Sequence, residues 1–179
     1  MEQNYKNRAE KSAPQKNMKT DKNITVAFTG HRSNRIATEK VALINEIENT
    51  ITDLYFKGYR HFMTGMAEGF DLLTAEAVLK IRNLHTNIKL ITVIPFTGQA
   101  RQFSDEDKKR YGIIFQQCDE SVLIADRYFT GCFHRRNDYL IDNSSFVVSY
   151  FDGTPKGGTY YTVNRAKKIQ TPIINLKNN

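Results

Sequence analysis

The chain at residues 146–159 reads FVVSYF followed directly by DGTPKGGT, and a helix-like stretch begins where this segment ends. A buried strand, a glycine loop and a helix in this order form an arrangement that proteins use to hold phosphate. Paired glycines let the backbone approach an anion, and the N–H groups at the helix start point toward it. Thr159 adds a hydroxyl and Lys156 a positive charge. The alternative is a surface turn that leads into a helix.

The rest of the chain alternates strand and helix patterns. Apolar, β-branched runs predict strands near residues 24–29, 61–64, 88–94, 121–125, 146–151 and 172–176, with helical periodicity between them. Strands that are apolar nearly throughout are buried on both faces, and intervening helices imply right-handed crossovers. The pattern therefore predicts an α/β fold with a doubly wound, mainly parallel sheet, a Rossmann-like three-layer sandwich in a single domain.

Composition and charge are those of an ordinary globular protein. The chain has 179 residues, of which 40% are hydrophobic and 25% charged, with a net charge of +7. Residues 1–23 contain six basic and three acidic side chains, which gives +3 and leaves +4 for the rest. We interpret residues 1–23 as a disordered polar tail and residues 24–179 as the domain.

The sequence also indicates a compartment and limits the partners. It shows neither a secretory signal nor a membrane span, and its two cysteines, Cys118 and Cys132, lack zinc-ligand spacing. We expect a cytoplasmic protein with free thiols, no metal site and no membrane contact. No Lys/Arg block with interleaved aromatics marks a nucleic-acid groove, which disfavours nucleic acid as a partner. A homo-oligomer is compatible with the sequence.

In doubly wound folds, ligands bind beyond the carboxyl ends of the strands, so the residues that follow each strand are the candidates. We expect a phosphate or nucleotide pocket there. The predicted ligand-binding residues are Gly30, His31, Arg32, Gly65, Gly69, Asp71, Arg135, Arg136, Lys156, Gly157, Gly158 and Thr159.

Several of these residues have a second interpretation. Arg135 and Arg136 suit a bidentate phosphate clamp or a solvated helix turn, and His31 suits a ligand oxygen or simple exposure. Asp71 suits a ribose hydroxyl or a helix cap. The loop at Gly30 is not GxGxxG, and Lys156 precedes its glycines, unlike the lysine of a Walker A loop. A classical NAD or ATP site is therefore disfavoured.

The same loops resemble the SLOG superfamily, the Rossmann-like group that contains DprA and the LOG enzymes, and most of all its YpsA-like branch. The resemblance rests on residues 28–32, 65–71, 135–137 with 142–145, and 152–153 with 156–159, in family order. It implies a pocket for a nucleotide or a nucleotide-derived ligand, such as an NAD- or ADP-ribose-like molecule. It also implies a ligand-sensing or regulatory role in bacteria, with a link to cell-division control.

The resemblance leaves two further functions open. LOG-type phosphoribohydrolases carry a Glu after the glycine loop, and this chain has none within two turns, so binding is favoured over N-glycosidic hydrolysis. If hydrolysis occurs, Glu68 or Asp71 is the candidate acid/base. The third function is single-stranded DNA binding as in DprA, the weakest because no basic and aromatic groove is visible in the sequence.

Overall fold

The computed structural model of the protein describes residues 20–36 and 40–178. Most of the predicted tail, residues 1–19, lies outside the described residues. Residues 21–24 pack onto the domain, because Asp21 caps the short 3₁₀ turn Lys22–Ile24 and accepts a hydrogen bond from Thr25. The described residues thus begin a few residues before the predicted boundary at residue 24.

Six strands form one sheet, and every neighbouring pair in it is parallel. The strands are β1 (Thr25–Gly30), β2 (His61–Thr64), β3 (Lys89–Ile94), β4 (Glu120–Leu123), β5 (Phe146–Tyr150) and β6 (Ile173–Asn175). Their order is β4-β3-β2-β1-β5-β6. The chain winds outward from β1 to β4, returns to the other side of β1 and continues to β6. This is the predicted doubly wound topology, and its switch point lies between β1 and β5.

Five helices cover the two faces of the sheet. They are α1 (Lys40–Phe56), α2 (Phe70–Arg82), α3 (Asp105–Gln117), α4 (Cys132–Asp142) and α5 (Gly157–Lys168). α1, α2 and α3 pack side by side on one face, and α4 and α5 pack together on the other. The predicted three-layer sandwich is confirmed.

The core follows from the alternation of side chains along the strands. Val26 and Phe28 of β1 point toward the α1–α3 layer, and Ala27 between them points toward Leu140 of α4. Because both faces are covered, the central strands are apolar nearly throughout. The carboxyl ends of the strands, which carry the loops of interest, lie along one edge of the sheet.

Candidate functional site

A cleft of about 490 Å³ opens at the switch point, where the loops after β1 and β5 separate. Its volume lies in the range of small-molecule binding sites. The structure brings nine of the twelve predicted ligand-binding residues together in its lining: Gly30, His31, Arg32, Asp71, Arg136, Lys156, Gly157, Gly158 and Thr159. Gly65, Gly69 and Arg135 are not in that lining.

The start of α5 forms one wall of the cleft. Gly157 adopts a φ of +88°, which favours glycine, and a Cβ added there would meet no protein atom within 4 Å. No side chain of the described residues caps this helix, and its first turn carries no acidic residue. The first N–H groups of a helix have no intrahelical partner. The N–H groups at the start of α5 are therefore available to an anion in the cleft.

Three other glycines of the site are explained by internal packing. A Cβ on Gly30 would overlap the ring of Phe70, and one on Gly65 would overlap the guanidinium of Arg136. Gly69 has a φ of +91°, and its Cβ would lie 2.5 Å from the backbone nitrogen of Ser33. These glycines bring the loops after β1 and β2 close together. Their packing accounts for glycine at all three positions without any ligand.

The arginine doublet is divided between the interior and the solvent. Arg135 is exposed, whereas Arg136 is 7% exposed at the base of the cleft. The Nη1 of Arg136 donates to the carbonyl of Gly65, and its Nε donates to Oδ1 of Asn137 at 2.7 Å. The two side chains therefore lie apart, and of the two alternatives for the doublet Arg135 matches the solvated helix turn, whereas Arg136 lines the cleft.

Asp71 is buried beside Arg136. Its Oδ2 accepts the N–H of Ala67 at 3.2 Å and lies 3.8 Å from Nη1 of Arg136. Burial raises the pKa of Asp71, and the charge of Arg136 opposes that rise. The N-cap of α2 is Gly69, so the carboxylate does not cap that helix. The contact that the structure shows orders the loop between β2 and α2.

A polar cluster fixes the loop after β5 against the loop after β1. Asp152 Oδ2 accepts a hydrogen bond from Arg35, Oδ1 accepts the N–H of Thr154 at 3.0 Å, and the backbone N–H of Asp152 donates to Nε2 of His31 at 3.1 Å. The Thr154 N–H bond, with further help from Arg35, holds the pKa of Asp152 below its usual range. Burial lowers the pKa of His31, and Asp152 opposes this.

His31 is thus buried, 4% exposed, and bonded within the protein instead of lying free on the surface. The site residues predicted from the sequence do not include Arg35, Asn137 or Asp152. Asp152 and Asn137 fall within the segments that carry the family resemblance, and that was the available signal for them. Arg35 had no such signal.

The charges that line the cleft favour an anion. Arg32, Arg35, Arg136 and Lys156 line the cleft, and Asp71 is the one carboxylate among the described residues of the lining. Just outside it Glu68 pairs with Arg32 and Asp152 with Arg35, so part of this positive charge is already neutralised. Arg32 is 59% exposed, so its side chain has room to turn toward a ligand. A phosphorylated molecule matches this electrostatic environment.

A second cavity, of about 530 Å³, adjoins the cleft and shares Arg32, Ala67 and Phe133 with it. Glu68, one of the two candidate acid/base residues, lines this second cavity, where it forms an ion pair with Arg32 at 3.3 Å. Gln99 lines the second cavity, and its Nε2 donates to the carbonyls of Gly65 and Met66 in the loop after β2. The two candidate carboxylates therefore belong to different cavities.

Two further properties of the described residues concern membranes and metal ions. In the part of the chain that the structure describes, no helix combines the length and apolar character needed to cross a membrane. Within residues 20–36 and 40–178, no cluster of three or more His, Cys, Asp or Glu side chains is arranged to hold a metal ion.

The fold defines a Rossmann-like α/β protein with a cleft at the switch point of its sheet, and comparison with known proteins identifies its family. The model of the YpsA family, described as the YspA SLOG family, matches residues 26–175. The chain belongs to this YpsA-like branch of the SLOG superfamily, as its loops predicted.

Relatives in the same group support the assignment. The UPF0398 protein BH1768 of Halalkalibacterium halodurans is 30% identical over 125 residues, which cover 69% of this chain and 66% of that protein. The SPbeta prophage-derived protein YoqJ of Bacillus subtilis is 29% identical over 141 residues, 72% of this chain and 80% of its own length. This chain therefore matches slightly less than two thirds of the first relative and most of the second.

Solved structures share the fold. DNA processing protein A from Helicobacter pylori, described for its single-stranded DNA binding mode, has a TM-score of 0.64 at 21% identity, covering 89% of this chain and 67% of that one. The structural genomics target TM1055 has a TM-score of 0.52 at 17% identity, covering 83% of this chain and 71% of that one. At these identities the likeness establishes the fold alone.

Proposed function

We propose that the cleft at the switch point binds a nucleotide or a nucleotide-derived ligand through its phosphate, and that the protein acts as a ligand-binding or sensing module. The observation that carries this proposal is the start of α5. There Gly157 has a backbone conformation that favours glycine and no protein atom in front of it, unlike the glycines whose identity is explained by internal packing. The backbone conformation accounts for glycine at residue 157, and the open space in front of it lets a ligand phosphate approach the N–H groups at the start of α5.

Each side of the cleft has a part in holding the ligand. The N–H groups at the start of α5 and the hydroxyl of Thr159 hold the phosphate, and Arg32 and Lys156 neutralise its outer face. Arg136 adds positive potential from below while it keeps its hydrogen bonds to the protein. Asp71, with its second carboxylate oxygen, accepts a ribose hydroxyl. NAD- and ADP-ribose-like molecules contain both groups.

The site supports binding better than cleavage. Asp71 is the one carboxylate in the described lining, and it already accepts the N–H of Ala67. Glu68 lies in the neighbouring cavity and is paired with Arg32. A general acid must reach the bond that breaks, and neither group has that position by itself.

Cys118 and Cys132 are free thiols, which agrees with the cytoplasmic setting that we propose.

A pair of glycine variants tests the phosphate site. Gly158 and Gly112 both lie in helices without positive φ, and an added Cβ would meet only Asn137 Nδ2 at 3.4 Å in the first case and nothing in the second. Alanine is therefore tolerated in both places. Only Gly158 lines the cleft. We expect Gly158→Ala to weaken nucleotide binding at least about tenfold and Gly112→Ala to leave it unchanged.

The measurement is a thermal-shift and calorimetric screen of nucleoside monophosphates, NAD, ADP-ribose and cyclic dinucleotides. A ligand at about 100 times its dissociation constant raises the free energy of unfolding by roughly 2.7 kcal/mol. If none of these compounds stabilises the wild-type protein, or if Gly158→Ala binds the active compound normally, the proposed phosphate site is wrong.

A further inference from the structure

The second cavity differs in chemistry from the cleft beside it. Its walls come from the loops after β2, β3 and β4, and it meets the cleft at Arg32, Ala67 and Phe133. Its lining contains four Phe or Tyr rings, Phe96, Phe103, Tyr128 and Phe133, whereas the lining of the cleft contains two, Phe28 and Phe133. A ligand whose phosphate lies at α5 can therefore extend along the sheet edge into an environment suited to a planar ring.

Three aromatic rings meet there and stay accessible: Phe96 in the loop after β3, Tyr128 in the loop after β4, and Phe133 in the first turn of α4. The ring centroid of Phe96 lies 5.4 Å from that of Tyr128 and 5.8 Å from that of Phe133, both edge-on. Tyr128 is 62% exposed and Phe133 37% exposed. Exposed aromatic clusters of this kind are typical of binding surfaces, and stacking on a nucleobase uses such rings.

A cation is held beside these rings. Gly98 has a φ of +88°, and a Cβ added there would lie 2.5 Å from Nε of Arg101, so glycine lets this side chain lie against the loop. No carboxylate in the part of the chain that the structure describes pairs with Arg101. Arg101 and Arg127 also border a third depression together with Phe96 and Tyr128. Arginine and aromatic side chains thus lie together along this edge, although they are not contiguous in the sequence.

We propose that the second cavity is a subsite for a second nucleobase, so that the ligand class is a 5′-phosphorylated dinucleotide. This rests on the proposed function of the first cleft, which holds the terminal phosphate and the first nucleoside. The second base stacks on Tyr128 and Phe133. Arg32, which lines both cavities, contacts the linking phosphate, and Arg101 faces the second nucleoside.

A short ligand fits the two cavities better than a long strand does. The start of α5 offers several N–H donors to one phosphate, which suits a doubly charged terminal phosphate more than an internal phosphodiester. The alternative is a single-stranded nucleic acid that runs past the third depression, and the experiment separates it from the dinucleotide.

Calorimetry compares AMP, GMP, CMP and UMP with the four matching 5′-phosphorylated homodinucleotides and with a dT20 oligonucleotide. We expect one dinucleotide to bind about 5- to 150-fold more tightly than its mononucleotide, the range that one stacked base supplies. Tyr128→Ala should remove most of that gain and leave mononucleotide binding intact. Phe56→Ala is the matched control, because Phe56 is 74% exposed at the end of α1, away from both cavities.

The other outcomes each have a distinct meaning. Mononucleotide binding without a gain for any dinucleotide overturns the second subsite and leaves the proposed phosphate site standing. A gain that persists in Tyr128→Ala also overturns the subsite. Affinity that keeps rising from dinucleotide to dT20 overturns it in favour of a single-strand groove. Binding of none of these probes overturns the second subsite, and the proposed phosphate site is overturned as well if NAD, ADP-ribose and the cyclic dinucleotides also fail to bind.

Discussion

Removing the Arg136 side chain should destabilise the protein in a way that depends on pH. Arg136 is 7% exposed and Asp71 is 5% exposed, with 3.8 Å between Nη1 and Oδ2. Arg136→Met keeps much of the side-chain volume but leaves the carboxyl of Asp71 buried without its cation. It also leaves the carbonyl of Gly65 without that donor. Breaking a buried pair from one side costs about 3–5 kcal/mol, or roughly 6–20 °C in Tm for a chain of this size.

The direction of the pH effect follows from the pKa of Asp71. Burial already raises this pKa and Arg136 lowers it, so the substitution raises it further. A carboxyl with a folded-state pKa above its unfolded value contributes stability that is lost as the pH rises through the folded-state pKa. The loss of unfolding free energy in Arg136→Met should therefore grow with pH. Each pH unit between the wild-type and variant pKa values of Asp71 adds about 1.4 kcal/mol.

Urea unfolding at pH 5 and pH 8 measures this effect. Arg135→Met is the matched control, because the neighbouring side chain is exposed, and we expect a change within about 0.5 kcal/mol at both pH values. In the double variant Asp71→Asn/Arg136→Met, the additional pH dependence that arises from the carboxyl of Asp71 should disappear. An equal loss at both pH values, or a loss in Arg135→Met as large as that in Arg136→Met, would refute the assignment of Arg136 and Asp71 as a coupled buried pair.

Two further predictions concern the loops. Gly65→Ala should lower the free energy of unfolding by about 1–3 kcal/mol, because the added methyl group overlaps the guanidinium of Arg136. Gly112→Ala, in an open helical position, should raise the free energy of unfolding by up to about 1 kcal/mol. Denaturant titration compares the two variants. The NMR titration of His31 should give a pKa below the ordinary 6.5, and Asp152→Asn should lower it further, because Asp152 now opposes the effect of burial. A His31 pKa that rises in Asp152→Asn would contradict the contact.

The fold was predictable because its signal is local. Continuous apolar runs such as residues 88–94 require burial on both faces, and helical periodicity between such runs leaves a layered parallel sheet as the consistent arrangement. The position of the cleft was also predictable, because ligands in this topology bind beyond the carboxyl ends of the strands. The errors in element boundaries are a few residues and do not move any loop to the other edge.

The division of roles within the site was not predictable, because it depends on three-dimensional contacts. A glycine that faces open space and a glycine that packs against a guanidinium look the same in sequence, as Gly157 and Gly65 show. Adjacent Arg135 and Arg136 differ in burial because a helix turns by about 100° per residue. The pairing of Arg35 with Asp152 spans 117 residues, so no local pattern announces it.

The aromatic and cationic edge was also missed for this reason. The sequence contains no contiguous basic block with interleaved aromatics, and its absence disfavours nucleic acid as a partner. The structure brings five residues together from the segments that follow β1, β3 and β4: Arg32, Phe96, Arg101, Tyr128 and Phe133. The absence of such a block from the sequence is therefore no evidence against a nucleic-acid partner. The comparison of dinucleotide with oligonucleotide binding decides between a small ligand and a nucleic-acid strand.

The central claim is that the start of α5 holds a ligand phosphate, and amide NMR shifts test it most directly. The mononucleotide that binds in calorimetry is titrated beside its unphosphorylated nucleoside. We predict that the nucleotide shifts the amide protons of Gly158 and Thr159 strongly, that the nucleoside shifts them little, and that the amide of Gly112 does not respond to either. Saturating nucleotide that leaves the Gly158 and Thr159 amides unmoved would contradict the account.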